Sequence, residues 1–247
     1  MCEENKKNKV NIFLKNIYRF VEKEIAKGKY EKAMAAISIA GEIQYQFNQD
    51  YVDEELEKGV SLIARKIKPR YENKISKLKV KEKNILFYDG FGLDTRGVVL
   101  MYLNALKKNG YHVIYVTDKK AIENQPEVHK LMEDADITWE YINMDDKYTV
   151  WMEELTDSII KSCPKAMFFY TKPNDVSGAV SFSLFEGKID RHLIDLTDHA
   201  FWIGVNCNDY FLGSREMSAS NQFFKRHIPK EKLIKLGVNL IVDRCDT

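Results

Sequence analysis

Asn84-Ile-Leu-Phe-Tyr88 is a short, apolar, β-prone run that breaks at Asp89-Gly90 and continues as Phe91-Gly-Leu-Asp-Thr-Arg-Gly97, a polar turn punctuated by glycine. Val98 to Lys108 follows, with apolar residues at three- and four-residue spacing until Asn109-Gly110 ends them. His112-Val-Ile-Tyr-Val-Thr117 is a second apolar run. Strand, glycine loop, helix and strand form a βαβ unit, because two parallel strands need a crossover and a helix is the usual one. Ligands of such sheets lie where strands end and helices begin.

The same alternation continues downstream. Pro126 to Glu133 reads as a short helix, Ile137 to Ile142 as a strand, and Trp151 to Ser162 as a helix with Trp151, Leu155, Ile159 and Ile160 on one side. Ala166 to Tyr170 is a buried strand, and Val176 to Phe185 reads as a helix. His192 to Leu196 and Asp209 to Leu212 are further strands, Gln222 to Lys225 closes a helix, and Leu233 to Leu236 is the last strand. Strands alternating with helices predict an α/β domain over residues 81–247 with a doubly wound, mostly parallel sheet.

The amino-terminal region, residues 1–80, is different. Val10, Phe13, Leu14, Ile17, Val21 and Ile25 make one helical stripe; Tyr30, Ala33, Met34, Ile37, Gly41 and Phe47 make a second. After Asn48-Gln49-Asp50, the residues Val52, Leu56, Val60, Ile63 and Ile67 mark a third, stopped by Pro69. Three amphipathic helices with short turns predict a small antiparallel helical layer ahead of the sheet, suited to scaffolding or docking. A basic linker follows: Lys66, Lys68, Arg70, Lys74, Lys77, Lys79, Lys81 and Lys83 stand against Glu72 and Glu82 alone. Such a run is a solvated helix or linker, and it leaves peripheral contact with anionic lipid open.

Composition narrows the function class. The 247 residues carry 38 basic against 37 acidic side chains, a balance that argues against a general nucleic-acid binder. The four cysteines, Cys2, Cys163, Cys207 and Cys245, are far apart and fit neither a metal spacing nor a disulfide framework. With a polar, charged start and no apolar run long enough for a membrane span, the expected location is cytoplasmic.

Chemistry is expected at the strand ends. Gly90 and Gly92 permit close backbone approach, and Asp94 and Arg96 place charges beside the crevice. The loop is neither the dinucleotide fingerprint nor a P-loop, since both spacings differ. Asp195-Leu-Thr-Asp198-His199 sets a carboxylate beside an imidazole, a pair that can serve as a general base or contact an anion; a capping Asp198 and a half-buried His199 are the structural alternative. Phe201 and Trp202 read as core. Asp209-Tyr-Phe-Leu-Gly-Ser-Arg215 repeats the strand-to-turn design and adds Arg215 to the crevice wall. Lys172 and Asn174 give a weaker signal after another strand. Asp134-Ala-Asp136 has the spelling of a metal-holding pair but sits in an acidic helix-end segment, where accident explains it.

Tyr88-Asp-Gly-Phe-Gly-Leu-Asp-Thr-Arg-Gly97, Leu196-Thr-Asp-His-Ala-Phe-Trp202, Asp209-Tyr-Phe211 and Glu231-Lys-Leu-Ile-Lys-Leu236, in that order and spacing, resemble the amino-terminal half of bacterial GT-B glycosyltransferases that build capsular, exopolysaccharide or protein-linked glycans. The resemblance covers roughly residues 81 to 240. It implies a Rossmann-like acceptor-side domain of a hexosyltransferase that moves a sugar from a nucleotide-sugar donor to a glycan, lipid-linked or protein acceptor. His199, oriented by Asp198, would activate the acceptor or contact the donor phosphates, and Gly90, Gly92, Asp94, Arg96 and Arg215 would line the cleft. It also implies no metal and no cofactor, because helix dipoles and basic side chains stabilise the leaving diphosphate. The family's donor-binding domain would follow Asp243-Arg-Cys-Asp-Thr247, so the chain alone is expected to be inactive. A non-catalytic partner subunit of a split transferase is the alternative.

Overall fold

The structure, a computed structural model, describes residues 2–47, 50–92, 97–121, 125–132, 137–195 and 197–236. It opens with four helices, α1 (Cys2–Ala26), α2 (Tyr30–Phe47), α3 (Glu54–Ile67) and the short α4 (Glu72–Ser76). The basic run crosses the end of α3, a 3-10 turn at Lys68–Arg70, and α4. Two of its cations reach acids of a neighbouring helix: Lys74 lies 3.1 Å from Asp157 and Arg70 3.9 Å from Glu153.

Seven strands follow: β1 (Lys81–Asp89), β2 (His112–Asp118), β3 (Ile137–Ile142), β4 (Pro164–Tyr170), β5 (Asp190–Ile194), β6 (Tyr210–Gly213) and β7 (Leu233–Lys235). They pair in parallel in the order β3-β2-β1-β4-β5-β6-β7. The helices between them are α5 (Val98–Lys108), α6 (Pro126–Met132), α7 (Tyr148–Ser162), α8 (Val176–Ser183) and α9 (Glu216–Arg226). This is the doubly wound, Rossmann-like sheet. Its order reverses between β1 and β4, and the crevice at such a switch point opens at the carboxyl ends of the two strands.

The period of two along a strand divides the core. On one face Leu86 and Tyr88 of β1 join Met167 and Phe169 of β4, Phe182 of α8, and Met34, Ile37, Leu56 and Ile63 of the amino-terminal helices in a single hydrophobic cluster. On the other, Phe87, Val113 and Tyr115 pack with Val99 and Leu103 of α5 and Val128 of α6. An aromatic row crosses the sheet in register, Phe87, Phe168, His192 and Tyr210, with successive ring centroids 6.2, 5.1 and 4.9 Å apart.

Polar anchors fix the helical layer to the rest of the chain. The buried Glu57 carboxylate of α3 accepts the backbone N–H groups of Gly204, Val205 and Asn206 at 2.7, 3.2 and 3.1 Å. Glu31, in the first turn of α2, accepts the first N–H groups of α7 from Tyr148 and Thr149 at 3.2 and 2.9 Å, donors that an α-helix leaves open.

Element boundaries moved in places. The strand expected at His192–Leu196 lies at Asp190–Ile194, and the helix expected to close at Gln222–Lys225 runs over the whole of Glu216–Arg226. The inward side of that helix consists of Ser218, Asn221, Gln222 and Arg226, all buried, so apolar spacing could not reveal its start.

Candidate functional site

A cleft of about 320 Å³ opens at the switch point. Every strand from β3 to β4 contributes its carboxyl end: Gly92 follows β1, Asp118 ends β2, Asp145 follows β3, and Lys172 and Asn174 follow β4. Tyr148 and Trp151 of α7 and Phe91 supply rings, and Ser38 of α2 brings the helical layer to the wall. Lys120 pairs with Asp145 across the rim, and the hydrogen bond and charge of that carboxylate raise the lysine above its ordinary pKa. The volume is at the lower end of the about 300–1,000 Å³ of small-ligand sites.

Two buried carboxylates hold the cleft floor. Asp89, the last residue of β1, accepts the N–H groups of Phe91 and Gly92 through Oδ1, both at 3.0 Å. Its Oδ2 accepts the Tyr115 hydroxyl at 2.6 Å and the Gln125 amide at 2.9 Å. Those bonds fix the turn that carries Gly92, whose φ of 64° is in the left-handed region that favours glycine. Asp175 caps α8 by accepting Gly178 N–H through Oδ1 at 2.7 Å, while Oδ2 accepts the Tyr88 hydroxyl at 2.7 Å and the Thr171 hydroxyl. Burial pushes both carboxyl groups above their ordinary pKa, and these hydrogen bonds offset only part of that rise.

Gly90 sits between the two carboxylates. Its N–H donates to the Tyr170 carbonyl at 2.8 Å, and a Cβ built on it would run into the Thr171 hydroxyl and Asp175. Glycine there lets the two central strands end side by side.

The second neighbourhood lies at the ends of β5 and β6. Asp198 is buried and pairs with Arg215, its backbone carbonyl accepts the Asn221 amide at 2.9 Å, and His199 Nδ1 stands 3.6 Å from Asp198 Oδ1. That separation is beyond a hydrogen bond, so Asp198 orients Arg215 and gives the imidazole only a nearby charge. His199 is 62 % exposed. Asp195 accepts Ser218 and Gln222 of α9, each at 2.5 Å. Arg226 is stacked between the Tyr51 and Trp202 rings and donates to the carbonyls of Tyr51, Thr197 and Ala200; burial lowers its pKa to about 10. Phe201 and Trp202 are core, at 0 and 5 % exposure.

The chain thus brings Gly90 and Gly92 together at the main cleft and Asp198, His199 and Arg215 together beside it. Lys172 borders both the main cleft and a smaller cavity lined by Thr171, Asp195, Thr197 and Trp202. Asp94, Arg96, Asp134 and Asp136 lie outside the described residues. Among the described residues no group of three or more His, Cys, Asp or Glu could hold a metal ion, Cys163 and Cys207 are free thiols, and no helix is long and apolar enough to cross a membrane.

Lys172 and Asn174, a weak signal in the sequence, line this cleft, together with Ser38, Asp118, Asp145, Tyr148 and Trp151, which the sequence motifs did not single out. Asp118 and Asp145 carried a usable signal, because each stands at the carboxyl end of an apolar run. Ser38 carried none, since only the packing of α2 on α7 and α8 brings it there, beside Asn174. No protein-family model, curated protein or solved structure matches the chain, which leaves the residues of the cleft themselves as the basis for its function.

Proposed function

We propose that the chain is the acceptor-side domain of a glycosyl-transfer enzyme, and that the switch-point cleft holds the acceptor sugar. The observation that carries this reading is the make-up of the cleft wall. Three aromatic side chains, Phe91, Tyr148 and Trp151, stand among Ser38, Asp118, Lys172 and Asn174. Rings offer flat apolar faces to a pyranose, while the polar groups match hydroxyls of fixed direction. Donors and acceptors already locked by Asp89 and Asp175 would bind without reorganising, which favours a rigid, polyhydroxylated ligand.

In this reading a nucleotide sugar supplies the glycosyl group, held mainly by a further domain, and an acceptor hydroxyl attacks its anomeric carbon. The acceptor proton leaves to a base, and the nucleoside diphosphate departs with the bonding pair. His199, exposed beside the cleft at the ends of β5 and β6, is the candidate base, and Arg215 is a candidate partner for the anionic leaving group.

Saturation-transfer NMR on the purified chain tests the acceptor assignment with a panel of oligosaccharides and, separately, nucleotide sugars. Oligosaccharide signals that disappear in Asn174→Ala and Lys172→Ala, with folding intact, support it. Saturation of nucleotides alone, or of no sugar at all, overturns it.

A further inference from the structure

We infer that the outward face of α1 is a docking surface for an anionic lipid bilayer. The helix runs for 25 residues, about 37 Å at 1.5 Å per residue. Leu14, Val21 and Ile25 are its buried side. Turned away from them, Ile12, Phe13 and Phe20 are 61, 51 and 43 % exposed. At 3.6 residues per turn these three share a stripe about 100° wide.

Charge decides what covers the stripe. Lys9, Arg19 and Lys23, all exposed, fall within or beside it, and Lys15 lies on its flank. Among the described side chains of this helix, Glu22 is outside the stripe and stands 3.9 Å from Lys58 of α3, and Glu24, which borders the stripe, is buried and pairs with Lys27 at 3.4 Å. Apolar side chains interleaved with cations, with the bordering carboxylate buried, are the composition of a helix that lies in a headgroup layer, rings toward the acyl chains and cations among the phosphates. A second copy of the chain is a poor match, because a two-fold contact would press the same cations against each other. The surface stands apart from the basic run at Lys66–Lys83, part of which already faces Glu153 and Asp157.

This inference does not rest on the transfer reading, but it has a consequence for it. Helix α1 packs on α2, and Ser38 of α2 lines the cleft. Helix axes pack 8–10 Å apart, so a bilayer under α1 would lie within about 20 Å of the cleft.

Flotation of the full chain with vesicles is the test. Binding is expected to vesicles of phosphatidylcholine mixed with phosphatidylglycerol, to be absent with phosphatidylcholine alone, and to fall as salt rises. Arg19→Glu combined with Lys23→Glu should weaken it by more than about tenfold, since each lost surface cation alone is worth roughly fivefold. Phe13→Ser combined with Phe20→Ser should also release the chain at unchanged melting temperature. Three results would overturn the inference: no flotation with anionic vesicles, flotation untouched by both double variants, or a self-associating chain that Phe13→Ser with Phe20→Ser turns into a monomer.

Discussion

The Tyr88 hydroxyl on β1 meets Asp175 at the head of α8, 2.7 Å away, and so ties together the two strand ends between which the sheet order reverses. Tyr88→Phe removes one of three donors to a buried carboxyl group. The loss should be about 1.5–3 kcal/mol, as for hydrogen bonds to charged groups. Urea unfolding measures it. The same variant should raise the Asp175 pKa further, because burial already pushes it up and the phenol opposes that.

Gly90→Ala tests how close the strand ends lie. The new methyl would meet the Thr171 hydroxyl and Asp175, a case of overpacking that costs about 1–3 kcal/mol. Thr171→Ala alone costs a hydrogen bond to Asp175. In the double variant the methyl takes the space of the missing hydroxyl, so the two losses should sum to less than their separate values. Simple additivity would show that the neighbours have moved apart in solution.

Glu57→Ala would leave the N–H groups of Gly204, Val205 and Asn206 without their acceptor; the unmet donor at buried Gly204 costs about 1–3 kcal/mol, while half-buried Val205 and exposed Asn206 can turn to water and add less. Hydrogen exchange should then rise first in α3 and in the 203–207 segment. Deleting residues 1–70 goes further, since it strips α2 and α3 from α7 and α8, and the remainder should expose apolar surface and aggregate.

What was legible in the sequence follows from these contacts. Strands buried on both faces are continuous apolar runs, and Ile85 to Tyr88 or Val113 to Val116 could be read as such. The helical stripes of α1 to α3 were equally plain. Glu57 was not, because nothing in a charged residue on a helix announces that three distant N–H groups converge on it. The loop Lys172-Pro-Asn-Asp175 was weak for a related reason: its place at the crevice depends on β4 lying next to β1, and strand order is a property of packing that local spacing does not encode. The start of α9 stayed hidden because its buried side is polar, with Ser218, Asn221 and Gln222 donating to Asp195 and Asp198.

His192 gives the sheet a pH dependence. Burial between Phe168 and Tyr210 holds its ring below the ordinary value of 6.5, outweighing the opposing charges of Asp190 and Asp209. The unfolded chain therefore binds the proton more tightly. The stabilising contribution of the neutral ring is whole above pH 6.5 and is lost as pH falls from there through the folded pKa. His192→Phe keeps the aromatic row and should flatten that part of the stability profile, measured by urea midpoints at neutral and mildly acidic pH. An unchanged slope would move the effect to another group.

The neighbours Asp198, His199 and Arg215 should separate by variant. Arg215→Ala leaves Asp198, 1 % exposed, without its cation. Breaking a fully buried pair costs about 3–5 kcal/mol, but Arg215 is itself 56 % exposed and water screens the pair, so about 1–2 kcal/mol is expected. His199→Ala removes an exposed ring with no hydrogen bond to Asp198, and stability should stay within about 0.5 kcal/mol. An effect of His199→Ala on sugar transfer, measured in an enzyme that carries this chain, would then be chemical rather than structural, and under the proposed reading it should be a loss of orders of magnitude. Unchanged transfer would remove His199 from the mechanism and leave Arg215 and the cleft residues Lys172 and Asn174 as the groups to examine, each by the same comparison of activity against melting temperature.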